Sequence, residues 1–384
     1  MADLYGEGNE RAAQSIADIV AGVDADVLHL HAFTRAASVR AARAAKRTGA
    51  RVVFTYHTPT ASCVRGTLLR DGQEPCDGAL IAQRCAACLL QSRGVPLVAR
   101  EVLSRAPATI GSALVSAHVA GRWVTGLRAR ELTAMRHDAF RQLLDESDAI
   151  VAVCGWVRSL LLRAGAPPDR VVLSRQGTPL TPSPVQPRRA RDAELRLAYV
   201  GRLHPTKGVH IVLGALAACP ELRLTLDVYG IAQGDEGARY RDELVAITAS
   251  DSRVRFQAPL ASDRVVETLA SYDATVVPSQ WLETGPLTVL ESFAAGTPVI
   301  GSNLGGIAEL VSHDLDGWLV RHADVEAWTL ALRRVATDRT LLNRLRAGVH
   351  APRSTTDVAR DMVAVYESIV SRRASGSPAT AGVA

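Results

Sequence analysis

The chain has 384 residues, of which 47% are hydrophobic, and a formal net charge of +5. This length exceeds the usual size of one hydrophobic core and predicts two domains. The charge excess is small and includes no long basic run, which argues against a nucleic-acid-binding function. Residues 1–10 lack the charged-then-apolar order of an export signal, and no apolar run is long enough to span a membrane, so we expect a cytoplasmic protein.

Short β-branched runs alternate with alanine- and leucine-rich helical patterns, which indicates an α/β fold built on parallel sheets. In the first half, strands are predicted near Val27–His31, Arg51–Tyr56, Ala149–Cys154 and Val171–Ser174, and helices near Glu10–Ala21, Arg35–Thr48, Arg130–Glu146 and Trp156–Ala164. The segment from Thr58 to Gly126 is predicted to be an irregular insertion.

The helix near Arg35–Thr48 has five basic side chains and no acidic one. It could contact an anionic membrane or a phosphorylated acceptor, although an ordinary solvated helix face is the simpler interpretation. The apolar stretch from Val95 to Leu127 could similarly be a lid that leans on a membrane, with a packed helix as the simpler interpretation.

Four of the six cysteines, Cys63, Cys76, Cys85 and Cys88, lie within one segment of 26 residues that ends in Cys-x-x-Cys. In a cytosolic chain this spacing favours a metal over disulfides, and four thiolates suit a tetrahedral, structural zinc ion. An iron–sulfur cluster and unliganded cysteines packed as small hydrophobic groups remain alternatives.

The proline-rich segment Thr178–Asp192 lacks apolar periodicity and predicts a linker. After it, strands are predicted at Leu195–Val200, Leu222–Tyr229, Val254–Phe256, Ala274–Val277, Val299–Ser302 and Trp318–Val320, followed by a last helix near Thr356–Ser371. The predicted organisation is an N-terminal domain at 1–177, a linker at 178–192, a C-terminal domain at 193–352, a helix at 353–372 that returns towards the N-terminal domain, and a disordered tail at 373–384.

The strand predicted at Leu195–Val200 runs into Gly-Arg-x5-Lys-Gly, which contains Arg202 and Lys207. Two cations between a strand end and a helix start suit a diphosphate, whereas a solvated basic loop is the alternative. Lys46 and Lys207 are the only lysines among 44 basic residues, so chance alone would seldom place a lysine at this position.

A second element has Glu283 and Glu291 with seven residues between them, including Gly285-Pro286. Proline favours a helix start, which aims free amides at the preceding loop. Carboxylates beside an anion-binding helix start suit a ligand that also has hydroxyl groups, as a nucleotide sugar does. A glycosidase carboxylate pair is the alternative, but it would leave the phosphate-type features unused.

These elements, in this order and spacing, resemble the GT4 family of glycosyltransferases with the two-domain GT-B fold, over residues 26–369. The resemblance implies two Rossmann-like domains that face a central cleft, with donor-binding residues Arg202, Lys207, Tyr229, Gly230, Glu283, Gly285, Pro286, Leu287 and Glu291. Arg202 and Lys207 would neutralise the diphosphate, Glu291 would bind the ribose, and Glu283 would contact the transferred sugar.

The resemblance also assigns a place near the reacting carbon to His57, which follows a predicted strand. Retention in this family is explained by attack on the same face as the departing phosphate, so no protein nucleophile is expected. The catalytic residues would then be His57, Arg202, Lys207 and Glu283. Because two cations can stabilise the leaving diphosphate, no cofactor is expected for catalysis, and the Asp-x-Asp sequences at residues 24–26 and 314–316 are interpreted as structural.

The sequence therefore predicts a retaining glycosyltransferase that uses a nucleotide diphosphate sugar and a glycan, lipid or small-molecule acceptor. A catalytically silent paralogue that serves as a binding or scaffold subunit is the alternative. Family members ordinarily open with an apolar strand and a glycine-rich turn, whereas this chain reaches its first clear strand at Val27. We therefore expect an incomplete N-terminal domain, with Met1 placed downstream of the true start.

Overall fold

The computed structural model of the protein describes residues 2–107, 109–110, 113, 116–117, 121–179 and 194–375. The chain divides into two compact units. Unit 1 comprises Met1–Arg175 and Arg360–Ala384, and unit 2 comprises Gln176–Ala359.

Both units alternate strands with helices. The strands are β1 Val27–Leu30, β2 Arg51–Tyr56, β3 Leu69–Arg70, β4 Glu74–Pro75, β5 Ala149–Ala152, β6 Val171–Leu173, β7 Leu195–Arg202, β8 Leu224–Ile231, β9 Val254–Gln257, β10 Ala274–Val277, β11 Val299–Ser302 and β12 Gly317–Val320. The helices are α1 Ala2–Tyr5, α2 Glu10–Gly22, α3 Val39–Arg47, α4 Ala82–Gln91, α5 Leu97–Arg105, α6 Arg122–Leu127, α7 Ala129–Glu146, α8 Gly155–Arg163, α9 Val209–Ala217, α10 Gly234–Ile247, α11 Val265–Leu269, α12 Leu287–Ala294, α13 Gly305–Leu310, α14 Val325–Thr337, α15 Arg339–Gly348 and α16 Thr355–Ser375.

Unit 1 is built on a parallel sheet of four strands in the order β1-β2-β5-β6. The run from Val52 to Tyr56 is buried throughout, which explains why this strand is apolar on both faces. The predicted strands are therefore confirmed. The predicted helix near Arg35–Thr48 is shorter than expected, because Ser38 caps the backbone N–H of Ala41 and α3 begins only at Val39.

The prediction of an irregular insertion between Thr58 and Gly126 was wrong for part of the segment. It contains the hairpin β3–β4 and the helices α4, α5 and α6. Alanine and leucine side chains of α4 pack on α7, with Ala86, Leu90 and Ala129 in one buried cluster. The helical pattern of α4 was missed because cysteines and polar residues interrupt it.

Unit 2 is a parallel sheet of six strands in the order β12-β11-β10-β7-β8-β9. In its core, side chains of β7 and β8 pack with those of α9 and α14. Trp328 of α14 is fully buried there. Both neighbours of β7, β8 and β10, run parallel to it, so the strands' carboxyl ends meet at one edge. The loop after β7 and the loop after β10 leave the sheet at that edge, where ligands of open α/β sheets bind.

Helix α16 belongs largely to unit 1, where Val365 and Ile369 pack with Val53 and Val151 of the sheet. It continues to Ser375, beyond the predicted end at residue 372. Residues 376–384 of the predicted tail and 180–192 of the predicted linker lie outside the described residues. Among the helices described, none is both long and apolar enough to cross a membrane.

Candidate functional site

A short turn after β7 carries the two cations of the Gly-Arg-x5-Lys-Gly sequence. Arg202 ends the strand, and Lys207 ends a 3-10 turn whose first residues are capped by His204, which accepts from Thr206 N–H at 3.2 Å. Gly208 follows with φ +72°, and a Cβ there would lie 1.9 Å from the carbonyl oxygen of Pro278. Only glycine lets the turn pack this closely against the loop after β10.

This turn and the β10–α12 loop enclose a cavity of about 250 Å³. It is lined by Tyr199, Val200, Gly201, Arg202, Lys207, Val276, Val277, Pro278, Ser279, Glu283, Gly285, Pro286, Leu287 and Thr288. Six of the residues predicted to bind the donor are therefore brought together in unit 2: both cations, Glu283 and residues 285–287.

Lys207 and Glu283 form the central ion pair of the cavity. Lys207 Nζ lies 2.6 Å from Glu283 Oε1, and Ser279 Oγ donates to the same oxygen at 2.7 Å. Glu283 is only 8% exposed, so its carboxylate is held by these donors in a largely dry environment. The Lys207 ammonium also lies 5.3 Å from the ring centre of Trp281, a cation–π contact.

Arg202 differs from Lys207 because its side chain is exposed and makes no ion pair with any described residue. Its backbone is fixed instead, since the buried Tyr199 donates its hydroxyl to Arg202 O at 2.7 Å. One cation of the cavity is therefore engaged by a carboxylate and the other is open to an anion.

Helix α12 begins at the cavity. Pro286 is the residue before its first turn, and a Cβ at Gly285 would lie 2.2 Å from Gln176 Oε1, so a larger residue there would displace the Gln176 side chain. The amides at this helix start are suited to an anion. Glu291 lies in the second turn, where burial raises the pKa of its carboxyl, but it is not among the residues that line the cavity.

Tyr229 and Gly230 also lie outside the lining of this cavity. The hydroxyl of Tyr229 is 2.8 Å from that of Tyr272, which donates to the buried Asp227 at 2.8 Å. Gly230 faces Leu203, whose side chain would be 2.6 Å from a Cβ at this position. These two residues therefore pack at the end of their strand and do not line the cavity that contains Arg202 and Lys207.

Three histidines form a network in unit 1, of which sequence reasoning assigned a function only to His57. His31 Nδ1 and His57 Nε2 share a hydrogen bond of 3.0 Å, and His29 stacks on His31 with ring centres 3.9 Å apart. His29 also bonds to Thr55 Oγ1 at 2.6 Å and to Tyr366 of α16 at 2.7 Å. The alternation His29-Leu30-His31 could have indicated two rings on one strand face, but nothing in the sequence points to Tyr366.

The network holds its rings in the neutral form. Burial, followed by the neighbouring His31 and His57, lowers the pKa of His29 to about 3. Burial also lowers the pKa of His31 and, together with His31, that of His57. Neutral imidazoles are suited to hydrogen bonding with sugar hydroxyls and do not add charge.

The four clustered cysteines are all partly buried and reduced. Burial, followed by the thiols of Cys63 and Cys76, raises the pKa of Cys85 to about 11. Cys88 points elsewhere: its sulfur accepts from Asp71 N–H at 3.3 Å and donates to Leu69 O at 3.7 Å. Across the described ranges, no group of three or more ligating side chains is arranged to hold a metal ion.

The basic side chains of α3 are largely neutralised within unit 1. Arg43 binds Glu146 at 2.8 Å and Glu7 at 2.9 Å, Arg40 contacts Glu10, and Lys46 donates to Glu146 O at 3.0 Å. The acids come from the N-terminal segment and from α7, far away in sequence. This helix therefore does not present the free cationic face that its own composition suggests.

The two Asp-x-Asp sequences lie in turns. Asp24 follows α2 with φ +47°, and Asp314 has φ +65°. Asp316 accepts from Ser312 N–H at 2.8 Å, which closes its turn. The Asp316 carboxylate therefore has a local structural role.

Comparison with known families assigns the chain to a class. Residues 8–180 match the model of Glycosyltransferase Family 4, and residues 185–349 match that of Glycosyl transferases group 1. Together the two models cover nearly all of both units. The chain belongs to the family 4 glycosyltransferases.

The chain is similar to several curated proteins of this class. It is 32% identical over 252 residues to the D-inositol 3-phosphate glycosyltransferase of Stackebrandtia nassauensis, covering 61% of this chain and 57% of that protein. It is also 32% identical over 251 residues to the glycogen synthase of Mycobacterium tuberculosis, covering 63% and 58% of the two chains. The chain thus spans somewhat more than half the length of these relatives.

Solved structures show the same fold at low sequence identity. The Anabaena protein HepE in complex with UDP and glucose superposes with a TM-score of 0.61 at 16% identity, over 92% of this chain and 81% of that one. Sucrose-phosphate synthase from Thermosynechococcus elongatus also gives a TM-score of 0.61, at 19% identity, over 94% and 77%. The fold is GT-B, with two Rossmann-like α/β domains, as the sequence predicted.

Proposed function

We propose that the chain is a retaining glycosyltransferase that takes its sugar from a nucleotide diphosphate sugar and works without a catalytic metal ion. The observation that carries this proposal is the cavity of unit 2, where Arg202 and Lys207 lie beside Glu283 and the start of α12. Two cations and free helical amides complement a diphosphate, and a buried carboxylate complements sugar hydroxyls.

The same cations supply the chemistry of the departing group. As the bond between the sugar and the diphosphate breaks, negative charge grows on the phosphate oxygens, and fixed positive charge nearby stabilises it. Arg202, exposed and without an ion pair among the described residues, is open to the diphosphate. Lys207 is already oriented by Glu283, so it needs little reorganisation when the donor binds.

Glu283 and Glu291 take separate roles in this proposal. Glu283 is held by Lys207 and Ser279 and lines the cavity, so it contacts the transferred sugar. Glu291, in the second turn of α12, binds the ribose. His57 hydrogen-bonds near the reacting carbon, and the departing phosphate assists the attack of the acceptor on the same face.

The test is a panel of UDP-, GDP- and ADP-sugars, read first as thermal stabilisation and then as turnover. A donor that binds the native state raises the melting temperature according to its affinity. UDP-glucose is the first choice, since UDP and glucose occupy the solved HepE structure. Turnover of any member of the panel excludes the alternative of a silent scaffold subunit, whereas the absence of both binding and turnover contradicts the proposal.

We also propose a structural zinc ion at Cys63, Cys76, Cys85 and Cys88, supported by the set of four thiols within one short segment that ends in Cys-x-x-Cys. Zinc would fix the segment between β2 and α4, because four thiolates leave no open position for chemistry. Metal analysis of the intact protein should give about one zinc per chain, lost in Cys85→Ser/Cys88→Ser and kept in Cys219→Ser. Metal-free protein of unchanged stability would contradict this, and absorbance near about 400 nm would indicate an iron–sulfur cluster.

Peripheral contact with a membrane is proposed for α5 rather than for α3. Three apolar side chains of α5 are exposed: Leu97 by 61%, Val98 by 77% and Val102 by 64%. Insertion of such a face into a lipid interface lowers the free energy, because it removes apolar side chains from water. In sedimentation with phosphatidylglycerol vesicles, Val98→Asp/Val102→Asp should reduce binding, while Ile247→Asp, at an exposed position of unit 2, should not.

A further inference from the structure

Unit 1 contains a second cavity, of about 670 Å³, which we call the arginine cavity. Its walls are the residues that follow β1, among them Phe33 and Arg35, those that follow β2, among them Thr60 and Arg65, and Arg136 of α7. It opens at the edge of the sheet where parallel strands end, the usual place for a ligand.

Arg136 is a buried cation without an acidic partner in the part of the chain that the structure describes. It is 8% exposed, its guanidinium lies 3.9 Å from the ring centre of Phe33, and it donates to Phe33 O at 3.2 Å and to Thr60 O at 2.6 Å. Burial lowers the pKa of Arg136 to about 10, so the side chain is still charged at neutral pH. A buried charge that is balanced by carbonyl dipoles is costly, and an anion in the cavity would offset this cost.

Two further arginines line the same cavity. Arg35 is exposed and makes no ion pair with a described residue. Arg65 donates to Gln91 Oε1 at 2.5 Å and to Cys88 O at 3.3 Å, and lies 4.0 Å from Cys88 Sγ, so it too has no carboxylate partner. None of the described residues that line the cavity is an aspartate or a glutamate. Arg40 and Arg43 of the neighbouring α3 are paired with glutamates, whereas these three guanidinium groups have no carboxylate partner among the described residues.

We propose that the arginine cavity binds a phosphate group of the acceptor. Guanidinium groups bind phosphate oxygens through paired, charge-assisted hydrogen bonds, which explains arginine at all three positions. The inference rests on the proposed transferase function and narrows the acceptor to a phosphorylated small molecule or a lipid phosphate, which share this chemistry.

The test is the affinity for inorganic phosphate, measured by titration calorimetry on the full chain. An Arg202→Ala/Lys207→Met background removes the cations of unit 2, so that the remaining phosphate binding reports on unit 1. Arg35→Ala and Arg136→Met should each weaken binding by about tenfold or more, as expected for losing a hydrogen bond to a charged group. Arg47→Ala, an exposed arginine near the end of α3, is the matched control and should change binding less than about twofold.

Arg35 is exposed, so its removal should leave the fold intact even if Arg136→Met fails to fold. Equal affinities for Arg35→Ala and Arg47→Ala, or no phosphate binding in the background protein, would overturn the proposal. Competition by glycerol 3-phosphate against dihexanoyl phosphatidic acid then identifies a small-molecule or lipid source, and competition by neither also overturns it. Nucleotide binding is measured separately on Arg35→Ala, so that failure of the donor site and failure of this cavity are distinguishable.

Discussion

At the scale of single residues, the ion pair between Lys207 and Glu283 should contribute both to the stability of the fold and to the proposed catalysis. The pair lies at 2.6 Å beside Ser279, with the carboxylate 8% exposed. Removing one partner of a buried ion pair leaves an uncompensated charge, which costs much more than the loss of an exposed pair. The chain has one other lysine, Lys46, whose partner Glu146 is in unit 1.

We predict that Lys207→Ala lowers turnover by about 100-fold or more, because one fixed charge on the leaving diphosphate is worth about 3 kcal/mol. The melting temperature should fall as well. Lys46→Ala is the matched control and should change turnover less than about twofold, since its pair is partly exposed. Steady-state kinetics well below the melting temperature separates the two effects, and a Lys207→Ala enzyme within about fivefold of the wild type would contradict the assigned role.

Substitutions of the two glutamates should affect ligand binding differently. Glu291→Gln should weaken the binding of free nucleoside diphosphate, because we assign it to the ribose. Glu283→Gln should leave that affinity nearly unchanged and lower the use of the whole donor, because we assign it to the transferred sugar. Titration with nucleoside diphosphate and with nucleotide sugar measures both, and equal losses for free nucleoside diphosphate in the two variants would count against the division of roles.

At the scale of elements, the turn after β7 depends on close packing against the loop after β10. Gln280 N–H donates to Thr206 O at 2.7 Å, and Gly208 lies against Pro278. The turn positions Lys207, so its geometry determines the shape of the proposed donor site. Gly296 offers a comparison, since it has a similar φ of +67° but a Cβ at its position would meet nothing within 4 Å.

We predict that Gly208→Ala destabilises the protein more than Gly296→Ala does. Both substitutions incur the cost of a left-handed backbone, about 1 kcal/mol. Only Gly208→Ala adds a collision between Cβ and a carbonyl oxygen, at 1.9 Å, which forces the two loops apart. Urea unfolding of both variants gives the comparison; equal losses of unfolding free energy would show that the close approach is not needed.

At the scale of the whole molecule, the histidine network predicts how stability depends on pH. The pKa of His29 is about 3 in the folded chain, below the ordinary value of 6.5, and that of His137 is about 4. Between these folded-state pKa values and pH 6.5, the unfolded chain therefore binds more protons than the folded chain does. The stabilisation that comes from burying neutral histidines is fully present above pH 6.5 and is lost as pH falls towards their folded pKa values.

We predict that the unfolding free energy falls as pH is lowered from about 6.5, and that His29→Gln makes this fall shallower. The substitution removes a group that must be neutral when folded but keeps a side chain able to bond to Thr55 or Tyr366. Urea titrations at a series of pH values measure the slope. An unchanged slope in His29→Gln would mean that other groups govern acid sensitivity.

The parts of the molecule that sequence could predict are those specified by local pattern. The apolar strand patterns and the two site motifs each lie within one continuous segment. The structure then brings residues of both motifs to one cavity: Arg202, Lys207, Glu283 and Gly285. Contacts between distant segments could not be predicted. His29 and Tyr366 are 337 residues apart, and the charge of α3 is compensated by acids such as Glu146 on a helix about 100 residues later.

The most direct test of the central claim is transfer or hydrolysis of a nucleotide sugar by the unmodified chain in excess EDTA. We predict that nucleoside diphosphate is still released and that the product keeps the anomeric configuration of the donor, as read by NMR. Arg202 and Lys207 would then stabilise the leaving group without a divalent ion. An absolute requirement for magnesium or manganese, or a product of inverted configuration, would contradict it.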